Sequence, residues 1–292
     1  MDHATRDSVT GRTTTGHEWN GIEELDTPIP RVVLFFLVTT TLFAIGYWLL
    51  MPAWPLGSTY TKGLLGIDQR EVVAQQIRDA TAERASWTSR IADASFDEIA
   101  ADPALMRHVR DTGRTLFADN CAVCHGTEGK GGPGFPNLAA GSWLWGGSPE
   151  AIAETIRVGI NDTAKDTRTS QMMAFGRDGL LQREQVLAVV AYVRSLSGQK
   201  LAEPDQARLP GGKEVFDGNC VACHGPDGKG LHDLGAPDLT DAHWIYGGDL
   251  NAVFNSVQNG RVGHMPSWES RLSTTEIKLL ALYVGTLPGA VR

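Results

Sequence analysis

Leu116-Phe117-Ala118-Asp119-Asn120-Cys121-Ala122-Val123-Cys124-His125-Gly126 returns later in the chain as Val215-Phe216-Asp217-Gly218-Asn219-Cys220-Val221-Ala222-Cys223-His224-Gly225. Cys-x-x-Cys-His is the attachment signature of c-type haem, in which two thiols add to the vinyl groups and the adjacent His reaches the iron from one face. A single copy reads also as a thioredoxin-like redox pair or as half of a zinc site. Two copies use all 4 cysteines of the chain, so none is left to complete a zinc site or a disulfide framework.

Outward from the motif the repeat continues. Pro136-Asn137-Leu138 is answered by Pro237-Asp238-Leu239, and Trp143 with Gly146-Gly147 by Trp244 with Gly247-Gly248. Each copy closes with an apolar helical pattern, at 186–196 and 277–287, carrying Tyr192 or Tyr283 at matching places. The expected organisation is therefore one duplicated module, with a first domain at 107–198, a polar linker at 199–207 and a second domain at 208–292.

A sixth iron ligand is expected downstream in each copy. Gly263-His264-Met265-Pro266-Ser267-Trp268 offers Met265, and Gln171-Met172-Met173-Ala174-Phe175 offers two candidates. Aligning Phe175 with Trp268 pairs Met172 with Met265 and leaves Met173 opposite Pro266. A lone Met is usually core filler, but three of the 6 methionines fall at these two loops. Whether each Met serves its own copy's haem or the neighbour's stays open, and a crossed arrangement is geometrically conceivable. His/Met ligation raises the potential relative to bis-His, which suits an electron carrier.

Other paired residues suggest support. The carbonyls of Pro136 and Pro237 can accept Nδ1–H of His125 and His224 and fix the rings. Gly113 and Gly212 each precede a Phe by four residues, so a small face would let a first helix cross a closing helix under the Tyr. Arg157 and Arg261 are candidates to neutralise a haem propionate, or are solvated surface residues. His108, His232, His243 and His264 have no counterpart in the other copy and read as ordinary polar residues. Modules this rich in loop bury a thin core, and a covalently tied apolar macrocycle completes it, so apo modules are not expected to fold.

The chain has 292 residues, 42% hydrophobic and 21% charged, with a net charge of −8. That excludes a disordered chain and argues against a general nucleic-acid binder. Between Arg31 and Lys62 no Asp, Glu, Lys or Arg occurs. The apolar run at 32–51 covers about 30 Å as a helix, the hydrocarbon thickness of a bilayer. Tyr47, Trp48 and Trp54 gather at its end like an aromatic belt, and Pro52 and Pro55 follow. A cleaved signal peptide would have a shorter apolar core and a basic start, and a buried core helix would carry charge. The reading is a single membrane anchor at 31–56 after a 1–30 segment. Arg6, Arg12 and Arg31 precede the span while Lys62, Arg70 and Arg78 follow it, so charge does not orient it. Residues 57–106 read as an exposed helical linker, with a packed face as the alternative.

The repeated modules resemble class I cytochrome c domains, whose haem is attached on the outer face of the membrane. The pre-membrane stretch His17-Glu18-Trp19-Asn20-Gly21-Ile22-Glu23-Glu24-Leu25-Asp26-Thr27-Pro28-Ile29-Pro30-Arg31 is more specific. With Ala44-Ile45-Gly46-Tyr47-Trp48 and Met51-Pro52-Ala53-Trp54-Pro55, it is similar to the diheme subunit (subunit III, CcoP/FixP type) of cbb3-type cytochrome c oxidase. The likeness runs from His17 to the C-terminus. Val32-Val33 stands where that family often has aromatics, and Met173 replaces its usual Pro.

The resemblance implies a mainly α chain, with a single N-terminal transmembrane helix followed by two tandem class I cytochrome c domains. It implies two covalent haem c groups on Cys121, Cys124, Cys220 and Cys223, with axial His125, His224, Met172 and Met265. It places the chain in the bacterial inner (cytoplasmic) membrane, N-terminus cytoplasmic and haem domains periplasmic. Electrons from a donor c-type cytochrome would pass to a monohaem c subunit and a haem-copper catalytic subunit that reduces oxygen to water, with no catalysis by this chain. Acidic residues outnumber basic ones at 204–292 but not at 107–198, so a basic donor would favour the second module. The competing readings are an anchored diheme carrier for a nitric oxide reductase or periplasmic dehydrogenase, and a diheme peroxidase, which the paired Met loops disfavour.

Overall fold

The computed structural model describes residues 5–290, in two compact units, residues up to 82 and from 83 onward. In the first unit a hairpin joins β1 (Thr14–Trp19) to β2 (Ile22–Leu25). Its turn is Asn20-Gly21, both at positive φ, the pair that a two-residue hairpin loop demands. The sequence reading left this segment without structure although Asn-Gly was its signal.

Helix α1 (Arg31–Leu50) buries none of its residues. An apolar helix exposed on all sides needs hydrocarbon around it, and at this length it spans a bilayer. Thr40 Oγ1 donates to the Phe36 carbonyl at 2.7 Å, so its hydroxyl needs no outside partner. The helix ends at Leu50, inside the expected 31–56 boundary. Its last carbonyls are capped by the returning chain, with Leu64 N–H on Leu49 O at 2.9 Å and Leu65 N–H on Leu50 O at 3.1 Å.

Helix α2 (Gln69–Asp93) lies in the expected linker. Val72, Val73 and Ile77 on it are exposed, but Ile91 is fully buried. Ile91 joins Ile99 of α3 (Phe96–Ala101), Leu105 and Val109 of α4 (Pro103–Asn120), and Leu279 and Leu282 of α12 (Thr274–Gly285) in one cluster. The 57–106 segment is therefore not simply an exposed linker, since Trp87, Ile91, Phe96, Ile99 and Leu105 pack into the core. Trp87 stacks on His108 with ring centroids 4.6 Å apart, which gives that unmatched His a packing role.

The Lys278 ammonium closes the end of α2. It donates to the carbonyls of Ile91, Ala92 and Ala94 at 3.0, 2.9 and 2.8 Å. A cation on otherwise unpaired helix-end carbonyls is stabilising. Lys278→Met is expected to cost about 1–3 kcal/mol, read as a lower urea midpoint of the haem-loaded chain.

The two repeats do not close on themselves. Within the second unit, α4 and α6 (Pro149–Val158) of the first repeat pack on α12 of the second, and α5 (Ala122–His125) packs on α4. Phe117, Ile152 and Ile156 meet Ile277, Leu280, Ala281 and Val284 there. Reciprocally, α9 (Leu209–Asn219) and α11 (Leu250–Asn259) of the second repeat pack on α7 (Arg183–Leu196) of the first, and α10 (Val221–His224) packs on α9. Phe216, Val253 and Val257 meet Val186, Val189, Val190 and Val193. The one-turn α8 (Glu203–Ala207) lies in the predicted linker.

The glycines predicted to allow close crossings do so, but across repeats. A Cβ on Gly113 would lie 2.6 Å from Cβ of Tyr283, and one on Gly212 would lie 2.8 Å from Cβ of Tyr192. Gly113→Ala is expected to destabilise by about 1–3 kcal/mol through overpacking. In a double-mutant cycle on the haem-loaded chain it couples to Tyr283→Ala and adds independently to Tyr192→Ala. Coupling to Tyr192 instead would mean that the repeats close on themselves.

Candidate haem sites

Each Cys-x-x-Cys-His is a single helical turn that continues the preceding helix. Cys121 and Cys220 end α4 and α9, and the His125 and His224 N–H groups donate back to their carbonyls, each at 2.9 Å. Gly131 N–H then donates to His125 O at 2.7 Å and Gly230 N–H to His224 O at 2.8 Å. Both glycines have φ near +70 to +78 and run against a Pro, where an added Cβ would lie 2.7 Å from the carbonyl carbon of Pro136 or Pro237. These two glycines, which the sequence reading passed over, let the loop return to the His.

The returning carbonyl meets the ring. His125 Nδ1 lies 3.0 Å from Pro136 O, and His224 Nδ1 lies 3.0 Å from Pro237 O. A carbonyl can only accept, so each ring carries its proton on Nδ1 and leaves Nε2 with a free lone pair. Burial pushes both imidazoles below their ordinary pKa, against the smaller opposing effect of the carbonyl, and so keeps them neutral.

Burial first, and the neighbouring Cys second, raises Cys121 and Cys220 to about 11. Among the described residues no group of three or more His, Cys, Asp or Glu is gathered to hold a free metal ion.

The methionine loops cross. Ile160 and Met265 exchange backbone hydrogen bonds at 2.8 and 2.9 Å, and Arg261 and Met172 at 3.0 and 2.8 Å. Gly159 and Gly260 sit beneath, where a Cβ would lie 2.6 Å from Ser267 N and 2.9 Å from Ala174 N respectively. Met265 thereby joins the apolar cluster that also takes in Phe117, Cys121 and Ala122, and Met172 the one that takes in Phe216, Cys220 and Val221. Met173 turns outward and is 52% exposed.

The charged residues sort differently from the expectation. Arg157, expected as a partner of Arg261, is held by Glu154 at 2.9 Å and Glu269 at 2.7 Å, so its charge is already matched. Arg261 lies over the Tyr246 ring at 4.2 Å with Nε on Ser256 Oγ at 3.0 Å. Its spatial counterpart is Arg168, over the Trp145 ring at 4.8 Å with Nη2 3.4 Å from Ala151 O. The Nε of Arg168 is buried with no hydrogen-bond partner among the described residues. Sequence offered one signal for Arg168, its place four residues before Met172, as Arg261 precedes Met265.

The residues present fit haem c: paired thiols on one turn, an imidazole oriented by a carbonyl, a thioether in the same apolar cluster, and a guanidinium whose buried Nε has no partner among the described residues. Three family descriptions match the chain. The N-terminal domain of cytochrome oxidase-cbb3, FixP, matches residues 11–58, cytochrome c matches 111–197, and cytochrome C oxidase, cbb3-type, subunit III, matches 207–284. The chain is 46% identical to the cbb3-type cytochrome c oxidase subunit FixP of Bradyrhizobium diazoefficiens, over 99% of both chains. It is 45% identical to FixP of Azorhizobium caulinodans over 98% of this chain and 97% of that one.

This chain belongs to the FixP/CcoP family. CcoP of Cereibacter sphaeroides, 44% identical over 94% of each chain, shows the likeness under the family's other name. As a FixP/CcoP protein it is a cytochrome c subunit of a cbb3-type oxidase, with one apolar helix as its membrane anchor and two covalently bound haem c groups. His/Met ligation is typical of this family.

Proposed function

We propose that this FixP/CcoP chain is a non-catalytic relay that takes electrons from a donor c-type cytochrome. It hands them to the monohaem c subunit and then to the haem-copper subunit, where oxygen is reduced to water. Bound haem c supplies a single iron per group that cycles between ferric and ferrous and so stores one electron.

The chain's residues do the rest. Cys121 and Cys124 hold one group and Cys220 and Cys223 the other. His125 and His224 present Nε2 because their Nδ1–H groups donate to the carbonyls of Pro136 and Pro237. The observation that carries the ligand assignment is the crossing of the loops, which brings Met265 into the apolar cluster of Cys121 and Met172 into that of Cys220. We therefore pair His125 with Met265 and His224 with Met172. The exposure of Met173 favours Met172 over it. The domain boundaries 107–198 and 208–292 then mark the repeats, while each haem body takes its closing helix and its Met from the other repeat. A thioether rather than a second imidazole as sixth ligand keeps the potentials high.

Haem c attachment outside the cytoplasm puts the N-terminus in the cytoplasm of a bacterium and residues beyond α1 in the periplasm. The test is to capture the C-terminally tagged chain from membranes in mild detergent. Co-purifying b haem, a carbon-monoxide-binding component and oxygen uptake are expected. A stable preparation with c haem alone would instead mark a carrier for another complex.

A further inference from the structure

Arg168 and Arg261 lie on the two crossing segments, each four residues before a Met. The Met of each segment leaves its own repeat, whereas the Arg stays with it. Arg168 reaches Ala151 of α6 and covers Trp145, both in the first repeat. Arg261 reaches Ser256 of α11 and covers Tyr246, both in the second. Trp145 and Tyr246 hold matching places in the repeat, two residues after Trp143 and Trp244.

Neither guanidinium has a carboxylate within ion-pair distance among the described residues. Glu154, whose carboxylate feels the charge of Arg168, is taken up by Arg157. Arg168 is half-buried, and its buried Nε donor has no partner among the described residues; leaving such a donor unpaired is costly, so the position of Arg168 calls for an acceptor. A haem seated on Cys121 and Cys124 brings two carboxylates of its own to the rim of the cradle. A guanidinium fork suits a carboxylate in a way that an ammonium does not.

We infer that Arg168 holds a propionate of the haem on Cys121 and Cys124, and Arg261 a propionate of the haem on Cys220 and Cys223. Each crossing segment then serves both haems, positioning one through its Arg and ligating the other through its Met. This rests on the haem cradles as assigned above. Both arginines are positioning residues that raise potential, since a nearby cation favours the ferrous over the ferric state.

The test is an optical redox titration of the full chain. Cys121→Ser serves as a marker, because a haem with one thioether and one remaining vinyl has a red-shifted α band and can be followed separately. In that background Arg168→Gln is expected to shift the equilibrium of the marked haem about tenfold toward ferric, roughly 59 mV for one electron, with the unmarked haem little moved. Arg261→Gln should shift the unmarked haem, and Arg157→Gln neither. Arg168→Lys, which keeps charge without the fork, should give a shift of about threefold or less.

Unmoved potentials in Arg168→Gln, or an equal shift in Arg157→Gln, would overturn the inference. If Arg168→Gln does not accumulate, a Lys variant whose marked haem shifts by more than tenfold would do the same. A chain that carries fewer than two haems before any Arg is changed would instead sink the cradle assignment itself.

Discussion

Met265→Leu is expected to turn the haem on Cys121 and Cys124 from low spin to high spin while the haem on Cys220 and Cys223 keeps its spectrum. The reason lies in the two antiparallel crossings, Ile160 with Met265 and Arg261 with Met172. They carry each thioether into the apolar cluster of the other repeat's cysteines. Leu fills similar volume but has no lone pair, so the body should stay folded while the iron loses its sixth ligand. In the marked Cys121→Ser background the red-shifted band should become high spin and begin to bind carbon monoxide. Met172→Leu should do the same to the other band, and Met173→Leu to neither. Conversion of the unmarked haem by Met265→Leu would show that each repeat ligates its own iron.

The second large effect is expected from removing one haem altogether. In Cys121→Ser with Cys124→Ser, the first haem cannot be tied, and its body is left with the cluster of Phe117, Ile152, Ile156, Ile277 and Leu280 around a missing core. A group that buries even ~400 Å² of apolar surface contributes about 10 kcal/mol, comparable to the whole stability of an ordinary domain. Because α12 belongs to the second repeat, the loss should not stay within residues 107–198. It should free α12, Met265 and, through Lys278, the end of α2. The expected outcome is a degraded chain, read by immunoblot with haem staining. Accumulation of an intact chain whose amides in 274–285 remain protected from hydrogen exchange would contradict it.

Much of this molecule is legible in order along the chain. The two Cys-x-x-Cys-His turns, their answering prolines, the Met loops and the uncharged span are local patterns, and local patterns follow from side-chain chemistry and spacing. The Pro136 and Pro237 carbonyls could be named because a His ligand needs an acceptor on Nδ1 and the same Pro recurs after both motifs. The Gly113 and Gly212 crossings could be named because a small residue four before a core Phe leaves one helix face bare. The Asn20-Gly21 turn was equally readable and was passed over.

Pairing is what sequence could not carry. Gly113 is as well suited to Tyr192 as to Tyr283, and Cys121 to Met172 as to Met265, because duplication makes the two repeats chemically equivalent. Only the tertiary structure chooses, through the segments after Gly159 and Gly260 that cross instead of turning back. The same holds for the cations. Arg157, the match of Arg261 by order along the repeat, is paired with Glu269, far away in sequence, whereas the buried Nε of Arg168 has no partner among the described residues. Sequence by itself determined the parts, a membrane helix and two haem cradles, since each is written in consecutive residues. The tertiary structure decided which half of each cradle closes on which, since long-range contacts between near-identical surfaces leave no local mark.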